Sequence, residues 1–398
     1  MPIINQVVKG GGGSAPAYYV EKTLDASGKL INGSNLIKLN GIKSVGPHVL
    51  ANAYYGVSFD SGTTVTFGDL ETVTDDYALT SMFTNASGII SITFDKLKTI
   101  GGYYTLNYFC SGLSSLIFID MKNVETITGD YTCSSMTLNT NGLSGFNLDK
   151  LKSISGRQTC EKMFQYIKTT AISLPSLEVV YGYLSCKDMF YSSDNAITAS
   201  FPRLVTLHTN TTSANSGVFH GIVSYSKNLT SFEIPSLKNI IGTNTMRNAL
   251  VNCFSITSIS FPAVNPNSFG DRTNQFVNLC GGIPNITLHF PSNVQSVVEG
   301  LAGYSTTAPF NATAGTVLFD LPATVILTGT NSQAYERSPK DDTAGALAWR
   351  KQDTGTEPNL VIDWTPFYTS GTTDPAVGDT IYSDSACTVA VTTIDSIA

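Results

Sequence analysis

Hydrophobic and polar positions follow a short punctuated unit that returns along most of this chain. Apolar and polar residues alternate over three to five positions. Pro or Asp follows, a leucine-like residue lies two further on, and Ile, Val or Leu comes three after that, often with Gly close behind. The unit reads "ITFDKLKTIG" at 92–101, "FNLDKLKSISG" at 146–156, "ISLPSLEVVYG" at 172–182 and "FEIPSLKNIIG" at 232–242. A degenerate copy, "FIDMKNVETITG", fills 118–129, and "LHFPSNVQSVVEG" at 288–300 reads as a last, altered one. The leucine-like position falls at Ile42, Leu70, Leu97, Val124, Leu151, Leu177, Leu204, Leu237, Val264 and Val294. Successive copies lie 26 to 28 residues apart, except for intervals of 33 before Leu237 and 30 before Val294. A fixed period of this length marks a repeat architecture in which each unit stacks on the next.

The alternation predicts a short strand at the front of each copy, with Ile172 and Leu174 facing inward and Ser173 outward. Pro or Asp then ends the strand, since Pro cannot donate to a ladder and Asp bonds the local backbone. A second apolar cluster about fourteen residues before the leucine position (Phe83, Phe109, Met136, Phe164, Phe190, Leu250) closes the far side of each coil. Segments such as "CEKMFQYI" and "TMRNALVNC" read there as one or two helical turns. No copy buries its apolar side alone, so neighbours must stack. The fold class is a repeat solenoid, mainly β with short helices and parallel stacked strands, about 45 to 50 Å long at ~4.8 Å per coil.

The residues "LTSFEIPSLKNIIG" and "ITSISFPAV" resemble the BspA-type leucine-rich repeat, whose copies run as a hydrophobic strand, Pro, a short hydrophobic stop, Gly, then an aromatic residue and often Cys. Phe109-Cys110 fits the tail of that pattern. The resemblance covers roughly residues 30–300. It departs from the family at Asp95 and Asp149, where Pro is usual, and in its longer repeats.

Outside the repeat, residues 1–17 read as an amino-terminal anchoring peptide, "PIINQVV", with a Gly-rich tether. That segment is either a docking strand for a larger assembly or a plain terminus or linker. The solenoid is placed at 18–300 with about ten repeats, a cap of strands at 301–336, and a small β-rich module at 337–398 that holds Trp349 and Trp364 and a possible short helix at its start. Its "DPAVGDTIYSDSACTVAVTTI" looks like the small β modules that end bacteriophage tail fibres and other virion surface proteins.

Composition narrows the function classes. Charged residues make up 13 % of the chain, hydrophobic ones 42 %, and the net charge is −7. Such a surface is built from neutral hydrogen-bonding groups, and without a run of Lys or Arg it is poorly suited to nucleic acid. The amino terminus has neither the basic nor the apolar region of a secretion signal, and no later segment nears 18 consecutive apolar residues, so membrane insertion is not expected. The seven cysteines form no CxxC pair and read as reduced, buried small hydrophobes.

The familiar catalytic motifs are missing from the sequence. There is no GxSxG turn, no HExxH pair and no P-loop after the glycines at 10–13, while the acid pairs Asp75-Asp76 and Asp341-Asp342 sit in turns. The expectation is a non-enzymatic protein without cofactor or metal. The positive signal is aromatic: Tyr77, Tyr103, Tyr104, Tyr131 and Tyr183 fall six or seven residues after the leucine position and predict a ladder on one column of the array. A tyrosine ring offers a stacking face and a hydroxyl, which suits protein and sugar contacts alike; the alternative is a partly buried structural ladder. The long interval before Leu237 holds about six extra residues, either a neutral insertion or a candidate contact loop that adds His208, His220 and Tyr225 to the binding candidates. Together these features imply a virion surface or fibre protein, assembled in the host cytoplasm. It would recognise a bacterial cell-surface glycan or protein, attach to other virion proteins through its amino-terminal peptide, and form a homo-oligomer. A cellular BspA-like surface adhesin and, behind it, a glycan-active enzyme are the alternatives.

Overall fold

The computed structural model describes residues 3–8, 18–23, 36–38, 43–48, 50–210, 216–264, 275–291, 294, 297–298, 300, 309–320, 326–337, 346–351, 367–370 and 375–397. The repeated unit winds into a parallel β-solenoid with three walls. In the first wall the alternating strands Leu36–Lys38, Ser58–Phe67, Ser87–Phe94, Phe118–Asp120 and Gly145–Asn147 form one five-stranded parallel sheet. The same wall continues as two further three-stranded parallel sheets. The first comprises Ala171–Ser173, Thr198–Ser200 and Ser231–Glu233, and the second Ser258–Ser260, Ile286–Pro291 and Gly315–Asp320. Its register pairs each copy with the same position of the next, as in Ile92 opposite Ile119.

The second wall was not foreseen. After the leucine-like residue the chain makes a second strand, and seven of these, from Thr72–Val73 to Asn239–Ile241, stack in parallel. The apolar residue three past each leucine (Val73, Ile100, Ile127, Ile154, Val180, Leu207, Ile240) points inward from this sheet and is buried. The glycine that follows closes the corner. Gly129, Gly156 and Gly182 all have positive φ, and a Cβ on Gly156 would lie 2.4 Å from the carbonyl oxygen of Gly129. Neither condition can be met by another residue without moving the coil.

The third wall corrects the expectation of short helices. Residues 76–85 and their counterparts form a chain of linked turns with positive φ at every fourth residue, as at Tyr77, Ser81 and Asn85, or Gln158, Lys162 and Tyr166. Alternate amides donate to the next coil (Leu79 N–H to the Thr105 carbonyl, 2.9 Å), and those between donate three residues back (Met82 N–H to the Leu79 carbonyl, 3.2 Å). These backbone donors are satisfied without a helix. Because each turn takes four residues, its inward positions recur at three and four, as in Leu79, Met82 and Phe83 or Cys186, Met189 and Phe190. That spacing is also the signature of a helix face, which explains the misreading.

One continuous core runs between the walls from Val45 to Val317. Rings stack along it, with Phe67 and Phe94 at 4.5 Å and Phe261 and Phe290 at 4.6 Å, each such pair contributing about 1 kcal/mol beyond its buried area. The expected far-side cluster Phe83, Phe109, Met136, Phe164, Phe190 and Leu250 is buried. So are six of the seven cysteines, all of which are free thiols.

At the amino terminus Ile3–Val8 pairs antiparallel with Tyr18–Thr23, so the anchoring segment has a strand partner within its own chain. The Gly-rich residues between them lie outside the described residues. At the other end, Ile326–Gly329, Ala334–Arg337, Ala346–Lys351, Phe367–Ser370, Thr380–Tyr382 and Ala390–Ile397 close into an antiparallel barrel around Tyr335, Trp349, Phe367, Ile381 and Ile394. The module therefore begins at Ile326, not at 337, because Ala390–Ile397 needs Ile326–Gly329 to close the sheet. What was placed as a cap is divided: Gly315–Asp320 adds the last parallel strand to the solenoid, and the rest belongs to the barrel. Ala346–Lys351 is a strand where a helix was considered, and its Trp349 Nε1 donates to Thr369 Oγ1 at 2.9 Å. Trp364 and the acid pair Asp341-Asp342 lie outside the described residues.

Candidate functional site

The tyrosines expected in one column occupy two, one residue apart, at the corner between the second wall and the turn wall. Tyr77, Tyr104 and Tyr131 each hold the positive-φ position that opens the turn wall. Their rings stack in sequence, Tyr77 on Tyr104 at 5.5 Å and Tyr104 on Tyr131 at 4.7 Å, and His48 extends the stack by lying on Tyr77 at 4.7 Å. Tyr103 and Tyr183 belong to the neighbouring column, which also holds Asp76, Asp130 and Arg157. Tyr103 stands edge-on to Tyr104 at 4.4 Å. The guanidinium of Arg157 lies 5.6 Å from the ring centre of Tyr131 and 5.3 Å from that of Tyr183, and so joins Tyr183 to the ladder through two cation–π contacts.

The column spacing is held by the backbone. Asp76 Oδ1 accepts the Tyr103 amide at 2.8 Å, and Asp130 Oδ1 accepts the Arg157 amide at 2.8 Å. Asp76 is thus a backbone cap, and no group of His, Cys, Asp or Glu among the described residues could hold a metal ion. Partial burial among the rings, then a hydrogen bond with Tyr103, pushes the Tyr104 phenol above its ordinary value. Tyr103 remains 40 % exposed. Seven rings or planar groups, from His48 to Tyr183, therefore line one edge of the solenoid, with His48, Tyr103 and Arg157 exposed and the others half-buried.

The remaining candidates go elsewhere. His208 sits on the outer face of the second wall, directly opposite Tyr181 in register and edge-on to it at 4.9 Å. Tyr225 joins Tyr191 at 5.0 Å, and Tyr191 meets Tyr166 at 6.0 Å, forming a second aromatic row at the far edge of the turn wall. His220 is part of the turn wall, not of an exposed loop. Val218, Phe219, Ile222 and Val223 around it are core residues, and residues 211–215 of the insertion lie outside the described residues. Asn278 Nδ2 donates to Asn248 Oδ1 at 2.8 Å, which turns the Asn248 amino group toward His220 Nε2 at 3.2 Å and leaves the ring proton on Nδ1. Burial, with Lys187 and Arg247 nearby, lowers the His220 pKa to about 4. In the preceding coil Asp188, whose amide donates to the His220 carbonyl at 2.9 Å, is pushed up to about 6 by burial against the opposing charges of Lys187 and Lys162. Lys187 itself pairs with Glu161 at 2.8 Å.

Sequence reading missed His48, Arg157, Tyr166 and Tyr191 as members of these rows. A column count at fixed offset from the leucine position finds Arg157 beside Tyr183. Tyr166 and Tyr225 share the third positive-φ column of the wall, which nothing in the pattern of apolar residues reveals.

Fold and site together define a parallel β-solenoid that presents two rows of aromatic side chains on its turn wall. The chain matches no family model, and comparison with curated proteins found no relative. No helix of the described residues is long and apolar enough to cross a membrane.

Proposed function

We propose that this is a non-enzymatic recognition and adhesion protein of a virion surface, and that the ladder from His48 to Tyr183 binds a bacterial cell-surface glycan. The observation that carries the reading is the backbone of Tyr77, Tyr104 and Tyr131. Their φ values of 57°, 55° and 59° lie in the left-handed region, which costs a bulky L-residue about 1–2 kcal/mol and suits Asn or Gly. Equivalent positions of later coils carry Gln158, Leu184, Gly217 and Asn244. Tyrosine at three successive strained positions, with its rings outward, is support for selection by contact and not by folding.

A stack of rings at coil spacing offers a run of equivalent outer ring edges, with the exposed Tyr103 ring beside them, to consecutive sugar units, and the hydroxyls and Arg157 supply the polar contacts. Many weak contacts along one edge, repeated over several copies on a particle, give avidity. The low charge and neutral hydrogen-bonding surface agree with a ligand that is itself rich in hydroxyls.

Binding of the purified chain to host-wall polysaccharide, compared with Tyr104→Ala and Tyr131→Ala, tests the site. Loss of retention in both variants supports it, and unchanged retention overturns it. Immunogold labelling of purified particles tests the virion setting, which a protein absent from particles would refute. New reducing ends after incubation with the polysaccharide would make the protein an enzyme instead.

A further inference from the structure

At the opposite edge of the turn wall, beside the second aromatic row, three consecutive coils enclose an open cavity of about 460 Å3. Asn141 contributes from one coil, Tyr166, Ile167 and Lys168 from the next, and Ser192, Asp194 and Asn195 from the third. We propose that this cavity is a second, separate binding site that takes a single uncharged hexopyranose unit through its vicinal hydroxyls. It has the volume of a small-molecule site. It shares no residue with the ladder, so it stands or falls independently of the ladder's function.

The frame is rigid. Tyr166 N–H donates to the Tyr191 carbonyl at 2.9 Å, Lys168 N–H to the Leu143 carbonyl at 2.8 Å, and Ser192 N–H to the Ser224 carbonyl at 2.8 Å, so all three coils are pinned where they meet the cavity. Ile167 is buried beneath, while the Tyr166 side chain is 41 % exposed. Tyr166 has φ 65° in the column where neighbouring coils place Asn139 and Ser192. As in the ladder, a bulky ring occupies a place that a small polar residue fills at lower cost.

Polar groups of both kinds converge on the space. Asp194 is held by its own backbone and one carboxylate oxygen, its carbonyl accepting from Asn228 Nδ2 at 2.8 Å and its Oδ1 from the Lys227 amide at 3.4 Å. Its Oδ2 carries no hydrogen bond among the described residues. Asn195 Nδ2 donates to the Lys168 carbonyl at 3.4 Å, which leaves Oδ1 as a further acceptor. Lys168 Nζ makes no ion pair, and the Asn141 amide no hydrogen bond, among the described residues. Adjacent hydroxyls of a pyranose donate to Asp194 Oδ2 and Asn195 Oδ1 and accept from Lys168 and Asn141, while the C–H face of the ring lies on Tyr166. The carboxylate and the ammonium balance one another. A charged sugar would therefore meet one like charge whichever sign it carried, and the neutral hexose is the fit.

The test is saturation-transfer NMR on the full chain, titrated with methyl glucopyranoside, methyl galactopyranoside and methyl mannopyranoside, and with glucuronate as the charged comparison. The expected result is saturable millimolar binding of at least one neutral glycoside, with transfer concentrated on ring C–H protons. Tyr166→Asn, which suits the backbone angle and so keeps the fold, should weaken binding about tenfold. Asp194→Asn, which keeps shape but removes the charge, should weaken it by a similar factor, and Lys122→Ala, exposed just after the first-wall strand Phe118–Asp120 and away from both aromatic rows, should leave it within twofold. Absence of saturable binding by all three neutral glycosides overturns the proposal. So does binding that Tyr166→Asn and Asp194→Asn leave unchanged, or a preference for glucuronate.

Discussion

Tyr104 and Tyr131 lie face to face with ring centroids 4.7 Å apart and planes within 4°, although a whole coil of chain separates them. The contact exists because both residues hold the same left-handed backbone position in adjacent coils. Replacing Tyr104 by Asn should relieve that backbone strain, so the melting temperature should hold or rise while glycan retention falls about tenfold. A denaturation curve and a binding isotherm on the same variant check the two halves. Joint loss of stability and binding would mean that the ladder is structural.

The corner glycines set the coil spacing. Gly156→Ala places a Cβ against the Gly129 carbonyl at a φ of 124°, and should destabilise the protein by at least about 2 kcal/mol. Gly62→Ala is the comparison: its φ is 87° but nothing lies within 4 Å, so only the backbone term of about 1 kcal/mol remains. Urea midpoints of the two variants should differ accordingly.

Acid stability should depend on two groups with opposite signs. His220 falls from 6.5 to about 4 on folding, so its contribution is complete above pH 6.5 and is lost as the pH drops through 4. Asp188 rises from 3.8 to about 6, so its contribution is complete below 3.8 and is lost as the pH climbs through 6. Each is worth roughly 3 kcal/mol across its window, and in the wild type they largely offset. Relative to wild type, Asp188→Asn should lose stability as the pH falls from 7 to 4, whereas His220→Gln should gain it. Parallel melting profiles for all three proteins would show the two assignments wrong.

On the outer corner after the leucine position, Lys43, Glu71, Lys98, Glu125, Lys152 and Glu178 alternate in charge from coil to coil. Lys152 Nζ meets Glu125 at 2.8 Å, and Lys43 meets Glu71 at 3.5 Å. These pairs are exposed and individually weak. Glu125→Lys would put three like charges in adjacent coils, and should lower the melting temperature at low salt with recovery as salt is added. An equal shift at all salt concentrations would point to a packing defect.

Much of this was legible in the residues. Leu97, Leu151 and Leu177 announced the period, and each is fully buried. The tyrosine column was visible at its offset, because residues at one place in successive copies must lie beside each other in a stack. The second strand wall escaped notice because two or three residues such as Thr72–Val73 carry too little alternation to register. The turn wall was mistaken for helix because a four-residue turn and a helical turn place apolar residues at nearly the same intervals.

By itself the sequence determined the repeat, the inward residues of its strands and far-side cluster, and the β character of the carboxy-terminal end, since these follow from periodicity and burial. Only the tertiary structure decided that Arg157 bridges Tyr131 and Tyr183, that Ile326–Gly329 closes the barrel, and that Asn141, Tyr166 and Asp194 share one cavity. Those relations depend on the height of each coil and the sign of φ at single residues, and pairing between coils fixes both.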